Sequence, residues 1–146
     1  ELALVVEESS VNDVEGVTFP FRLSVRRDRS AMNTSYRQMA FLKKRLPSNP
    51  LWMNPADMMR LGLSSGDTAR LRSGHGEISV VVAGDDSMRE GAVSVMHGWG
   101  GRGGDLAAAD ESIGGSVNEL VPLGDRLEEI NGMPWFSAVP VSVLAS

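Results

Sequence analysis

The chain contains no cysteine, only two histidines, one tyrosine and four phenylalanines. The lack of cysteine excludes disulfides, Cys-ligated zinc and iron–sulfur clusters held by this chain, and it fits a reducing, cytoplasmic setting. His75 and His97 are too few for an ordinary metal centre without several carboxylates beside them. No apolar run approaches the roughly 20 residues of a membrane-spanning helix, and no signal peptide opens the chain. Positive charge is scarce as well. A formal charge of −5 argues against general affinity for nucleic acid or for an anionic membrane, so neither is expected as a partner. The first residue is Glu1 rather than Met, so the chain reads as an excised or processed piece.

What is present is enough for one domain. The chain has 146 residues, 42% of them hydrophobic, and 16 glycines, the profile of a turn-rich globular fold. Residues 1–16, with Glu7, Glu8, Asp13 and Glu15, read as an acidic linker or peripheral lead-in, leaving 17–146 as the domain. Phe19 to Val25 alternates large apolar with small or polar residues and reads as a strand. It runs into Arg26-Arg27-Asp28-Arg29, a basic patch available to one anionic ligand, and then into the small polar run Ser30 to Ser35. Tyr36 to Leu46 has apolar residues near helical spacing and basic residues at its end, which suit the negative helix terminus; Pro47 and Pro50 stop it.

Leu51 to Gly66, LWMNPADMMRLGLSSG, carries a complete helix frame. Asn54 is a good N-cap, Pro55 suits the first helical position, and Asp57 places a carboxylate in the first turn. Gly62 supplies the left-handed residue that ends a helix. Thr68 to Ser73 then alternates Ala69 and Leu71 against Arg70 and Arg72, Gly74-His75-Gly76 makes a hairpin with His75 at an exposed tip, and Glu77 to Ala83 returns. Gly84-Asp85-Asp86 turns the chain again, and Gly91 introduces the strand Ala92 to Met96. His97 to Gly115 is a long glycine-rich loop, a feature that in compact domains is functional or disordered. Val117 to Leu123 is a short apolar run, Arg126 to Trp135 is polar and turn-rich, and Phe136 to Leu144 closes as a strand. The sum is mainly β: six or seven short strands with two helices inserted early, a small barrel rather than a parallel βαβ sheet.

Taken in order, several of these segments resemble the C-terminal dinucleotide-binding domain of the molybdopterin oxidoreductases, the dimethyl-sulfoxide-reductase and formate-dehydrogenase superfamily. The resemblance rests on the strand leading into the arginine-rich turn and Asn33-Thr34-Ser35, then Asn54-Pro55-Ala56-Asp57 with Leu61-Gly62-Leu63 and Gly66-Asp67. It continues through Arg72-Ser73 and Gly76-Glu77-Ile78, Gly91-Ala92-Val93 into His97-Gly98-Trp99-Gly100, Asn118-Glu119-Leu120, and Asn131-Gly132-Met133-Pro134. It spans Phe19 to Val143 and implies a double-psi β-barrel with short inserted α-helices, in agreement with the strand count.

The resemblance implies a ligand, molybdopterin guanine dinucleotide, with molybdenum or tungsten bound through the rest of the enzyme. It also implies partners: the remaining domains of a catalytic subunit, carrying the metal ligand and an iron–sulfur cluster. The chain would hold the cofactor and catalyse nothing alone. Guanine presents N–H donors that want a carboxylate, a role for Asp57 with Asn54 beside it; both residues also satisfy a plain helix-cap reading. A pyrophosphate wants bare backbone N–H groups and a cation, which Gly98, Gly100, Gly101, Gly103, Gly104 and Arg102 offer. The family places the segment of Arg27 to Ser35, including Asn33 and Thr34, and that of His97, Gly98 and Trp99, near the pterin, with Asn118 pointing toward the cofactor. The plainer alternatives are a solvated loop or the Ser/Thr cap of the next helix for Asn33 to Ser35, a loop histidine packed on Trp99 for His97, and a turn cap for Asn118. Trp52, Trp99 and Trp135 read as core or rim packing. The loop sequences look nearer the formate-dehydrogenase-like branch. Three other readings stay open. One is a separately encoded small subunit, and one is a cofactor-free barrel that serves as an interaction module. The third is a self-cleaving double-psi barrel of the aspartate-decarboxylase type, for which Gly115-Ser116 is the relevant but ill-placed step.

Overall fold

The structure, a computed structural model, describes residues 13–14, 17–30, 32, 35, 39–100, 114–121, 124 and 127–146. Along the chain the strands are β1 (Asp13–Val14), β2 (Val17–Thr18), β3 (Phe21–Arg26), β4 (Pro50–Met53), β5 (Thr68–Arg72), β6 (Glu77–Gly84), β7 (Ala92–Met96) and β8 (Ser137–Ala145). Helix α1 (Ala40–Arg45) precedes β4, helix α2 (Pro55–Leu61) follows it, and a 3₁₀ turn spans Val117–Leu120. Strands β3 to β8 close into a barrel in the order β3-β7-β4-β6-β5-β8. Two of its pairings are parallel, β3 with β7 and β4 with β6, and the rest are antiparallel. This is the mainly-β barrel expected, with the two short helices inserted where expected.

Alternation of side chains explains which way each strand faces. In β5, Ala69 and Leu71 are buried while Arg70 and Arg72 are exposed; in β6, Ile78, Val80 and Val82 point inward. Closure packs Leu23, Leu51, Met53, Leu71, Val93, Val95 and Val141 into one core, each such side chain contributing about 1.5–3 kcal/mol relative to exposure. Met58 and Leu63, from α2 and the turn after it, belong to that core at one end, and Val117, Leu120 and Val121 belong to it beside β6.

Register fixes two distinct barrel ends. At the first, here the loop end, lie Arg26, Met96, Pro50, Arg72, Glu77 and Ser137. At the second, the α2 end, lie Phe21, Ala92, Met53, Gly84, Thr68 and Ala145.

Several elements differ from expectation in detail. β3 begins at Phe21 instead of Phe19. The described part of the expected Tyr36–Leu46 helix is helical from Ala40 to Arg45, with Met39 in an extended conformation before it and no side-chain cap. The pair β1–β2 joins Asp13 to Thr18 and Val14 to Val17, so it straddles the expected boundary between lead-in and domain. A bulge between Leu23 and Ser24 of β3 leaves Ala138 of β8 at φ 58, the left-handed region that an alanine adopts only under strain.

Arg26 is committed to the barrel wall. Its guanidinium lies 4.1 Å over the Trp52 ring, donates to Ser94 Oγ at 2.9 Å and pairs with Asp85 at 3.8 Å. The basic patch offered to a ligand is therefore narrowed to Arg27 and Arg29, both exposed. Trp52 is half-buried on the outward face of β4, beneath that guanidinium.

Candidate functional site

Helix α2 forms as its sequence dictates. Asn54 Oδ1 accepts from the Ala56 N–H at 2.8 Å, Pro55 opens the first turn, and Gly62 ends the helix at φ 67. Leu63 N–H returns to Met58 O at 2.9 Å, which satisfies an otherwise orphaned carbonyl. The other half of the Asn54 amide donates to Met88 O at 2.7 Å.

Asp57 is 0% exposed. One carboxylate oxygen accepts from Gly91 N–H at 2.8 Å and the other is paired with Arg60, which also reaches Glu90 at 2.9 Å. Asn54, Asp57 and Arg60 thus stitch α2 to the β6–β7 turn. The two expected guanine-end residues stand at the α2 end with their polar atoms already partnered. A guanine edge reaches Asp57 only by displacing Arg60.

Of the remaining expected site residues that are described, Arg27, His97, Gly98 and Trp99 leave the barrel at the loop end. Arg27 follows the last residue of β3, and His97 and Gly98 follow β7; since β3 and β7 are parallel neighbours, both segments leave the barrel side by side. His97 is held there: its backbone N–H donates to Arg26 O at 3.3 Å, and its ring Nδ1 lies 3.2 Å from the same oxygen. Gly98 has φ 83 and Gly100 φ 72, so both need glycine's freedom. Trp99 packs against Gly114, where a Cβ would lie 3.1 Å from its ring. Ser35 is exposed, and its N–H bonds to Met32 O at 2.9 Å. Asn33 and Thr34, with 101–113 and their glycines and Arg102, lie outside the described residues.

Asn118 is exposed on the 3₁₀ turn beside β6. It does not cap that turn. Ser116 does, its Oγ accepting from Asn118 N–H at 3.3 Å. Ser116 has φ −80 and ψ 124, unstrained values, and its hydroxyl is engaged in the cap; a self-cleaving Gly115-Ser116 step finds no support in this geometry.

The electrostatics of the loop end suit an anion. Arg27 and Arg29 are exposed, and the nearby Asp28 carboxylate is tied to the Ser30 hydroxyl and, at 2.7 Å, to the Ser30 N–H. Those two bonds, with a smaller contribution from Arg45, hold the Asp28 carboxyl below its ordinary 3.8. Beyond Gly84, at the α2 end, Asp85 is likewise lowered, chiefly by Ser87 and then by Arg26. A carboxylate depressed in the fold stabilises it above the ordinary value, and that contribution disappears as pH falls through the lower folded value. The Ser30 and Ser87 amide resonances are accordingly expected to titrate with midpoints below 3.8, measured by NMR on acidification.

One residue of this end is not among those the sequence singles out. Asn49 is 0% exposed, accepts from Met96 N–H at 3.3 Å and donates to Gly115 O at 3.4 Å. Its signal is slight: an asparagine between Pro47 and Pro50, which reads first as a turn.

The frame of the candidate site is thus a closed β-barrel whose parallel neighbours β3 and β7 send Arg27 and His97–Gly98 out of the same end. Residues 21–140 match the family described as "Molydopterin dinucleotide binding domain", and the chain belongs to that family. A tetrathionate reductase subunit of Archaeoglobus fulgidus is 33% identical over 73 residues, covering 49% of this chain and 6% of that protein. Acetylene hydratase from Pelobacter acetylenicus shares the fold, with a TM-score of 0.76 at 20% identity over 88% of this chain and 18% of that chain. The chain therefore spans a small part of the proteins it is similar to. It is a molybdopterin dinucleotide-binding domain.

Proposed function

We propose that the loop end holds molybdopterin guanine dinucleotide for a molybdenum- or tungsten-dependent oxidoreductase whose metal is ligated by other domains. The observation that carries this reading is that Arg27 and the His97–Gly98 segment leave one barrel end side by side, with Asn118 on the turn beside β6, within a domain of this family. The donor set fits a dinucleotide. Exposed guanidinium groups and glycine N–H groups suit a diphosphate, and Ser35 and Asn118 offer donors and acceptors to a pterin edge. The cofactor supplies the redox chemistry when bound, and these residues bind and orient it.

The partners in this reading are the remaining domains of a longer catalytic chain, with an iron–sulfur cluster among them. Two facts support it. Both relatives are far longer than this chain. Among the described residues, every exposed large hydrophobic except Met59 lies in the segments at the loop end, namely Met32, Met39, Phe41, Leu127, Ile130, Met133 and Trp135. Ile130 is 92% exposed, an apolar side chain placed for a neighbouring surface.

A titration of this chain with GDP, with ADP as control, tests the reading by amide NMR. Shifts at Arg27, Ser35, His97–Gly100 and Asn118 with GDP are expected, and Arg27→Ala and Asn118→Ala should each weaken binding several-fold. Added shifts at Met58 and Gly91 with GDP alone assign the guanine to Asp57. Silence at every loop-end amide up to millimolar GDP removes the support for a dinucleotide site here.

A further inference from the structure

We infer that Asn49 is the positioning residue of the dinucleotide site, clasping both ends of the glycine-rich segment without touching the ligand. The inference rests on the reading of the loop end as that site. The Asn49 side chain is wholly buried and joins two backbone groups far apart in sequence. Its Oδ1 receives the Met96 N–H, one residue before the segment begins, and its Nδ2 donates to Gly115 O, where the segment ends. Its own carbonyl accepts from Val81 N–H at 3.1 Å, which anchors the clasp to β6. An amide is suited to this task because it carries an acceptor and a donor on adjacent atoms. A carboxylate would meet the Gly115 carbonyl with a second acceptor, and an aliphatic side chain would leave both backbone groups unsatisfied.

Packing around the amide shows why the two ends are held to one spacing. A Cβ on Gly114 would lie 2.5 Å from Asn49 Cβ, and one on Gly100 would lie 2.6 Å from Ser116 N. The departing Gly100 is thus packed against the returning Ser116, and Gly114 against Asn49 itself. His97 and Gly98, which face the proposed ligand, leave the barrel immediately beyond the Met96 N–H that Asn49 holds. Asn118 follows the Gly115–Ser116 step that its other hydrogen bond holds. One buried side chain sets the distance between the two groups of ligand-facing residues.

The experiment compares the parent chain with Asn49→Ala, Asn49→Asp and Ser65→Ala. The last removes a hydroxyl that accepts from Gly84 N–H at 2.9 Å at the α2 end, so it controls for a comparable loss far from the site. GDP affinity and amide hydrogen exchange are measured on each. Asn49→Ala is expected to lose at least tenfold in GDP affinity with faster exchange at Met96, while Ser65→Ala keeps the parent affinity. Asn49→Asp should retain Met96 protection, through its remaining acceptor, yet lose affinity because the Gly115 side is released. Equal GDP affinity in parent and Asn49→Ala overturns the inference and leaves the site reading intact. A parent chain with no GDP response overturns that reading, and the inference with it. Equal losses in Asn49→Ala and Ser65→Ala reduce Asn49 to an ordinary stabilising residue and overturn the inference as well.

Discussion

Asp57→Ala is expected to destabilise the domain by about 3 kcal/mol, seen as a lower denaturation midpoint at unchanged denaturant slope. Three losses combine. The Gly91 N–H loses a charged acceptor at 2.8 Å, and a charge-assisted bond of this kind contributes roughly 1.5–3 kcal/mol. Helix α2 loses the carboxylate that complements its N-terminal dipole, about 0.3–1 kcal/mol more. The stitch between α2 and the β6–β7 turn then rests on Asn54 and on the exposed Arg60–Glu90 pair. Arg60 is 61% exposed and is simply resolvated, so it leaves no buried charge behind.

Asp57→Asn separates the structural role from the guanine one. The amide keeps one acceptor for Gly91 N–H, so most of the stability should survive. It replaces the second acceptor with an NH₂ group, which faces guanine's donors with another donor. If Asp57 receives the base, this variant loses the preference for GDP over ADP while remaining folded. If Asp57 serves only the helix, the preference is unchanged and only the midpoint moves.

Short-range structure is legible in the sequence because its causes are themselves short-range. Asn54-Pro55 and Gly62 fix the ends of α2 within a few residues, and the alternation around Ala69 and Leu71 needs no partner strand to be read. The hairpin that carries His75 is equally local. What stays hidden depends on which strands pair. Arg26 reads as a free cation until Ser94, 68 residues away, and Trp52 are brought against it. The resemblance assigns the polar Asn54-Pro55-Ala56-Asp57 motif and the His97 loop to one ligand. Antiparallel pairing of β4 with β7 sends Met53 and Met96 to opposite ends, separating the two by the barrel's length. Asn49 is illegible because its role exists only once β4, β6 and β7 are assembled. The segments of Arg27 and His97, which the family resemblance sets together, do leave the same barrel end, because their flanking strands are neighbours.

Gly115→Ala is expected to cost about 2–3 kcal/mol and to weaken GDP binding by at least tenfold. A Cβ at this position would lie 2.5 Å from Ile78 Cβ and 2.7 Å from its Cγ2, distances at which something must move. The Ile78 side cannot yield. Its Cβ is fixed to the backbone of β6, which pairs at Ile78 with Leu71 of β5 and, from Val81 onward, with β4. The strain therefore falls on the Gly115 side, lengthening the 3.4 Å bond from Asn49 and the 3.3 Å bond from Gly115 N–H to Ser79 O. That displacement carries Ser116 and Asn118 with it. A rescue variant makes a stricter test. Trimming Ile78 to alanine removes Cγ2 but keeps Cβ, so Gly115→Ala combined with Ile78→Ala should recover little stability, beyond suffering a new cavity. A side chain that clashed only through its flexible end would be rescued by the same trimming. Full recovery in the double variant would show that the clash runs through the end of the Ile78 side chain, and would overturn the argument that the strand backbone displaces Gly115.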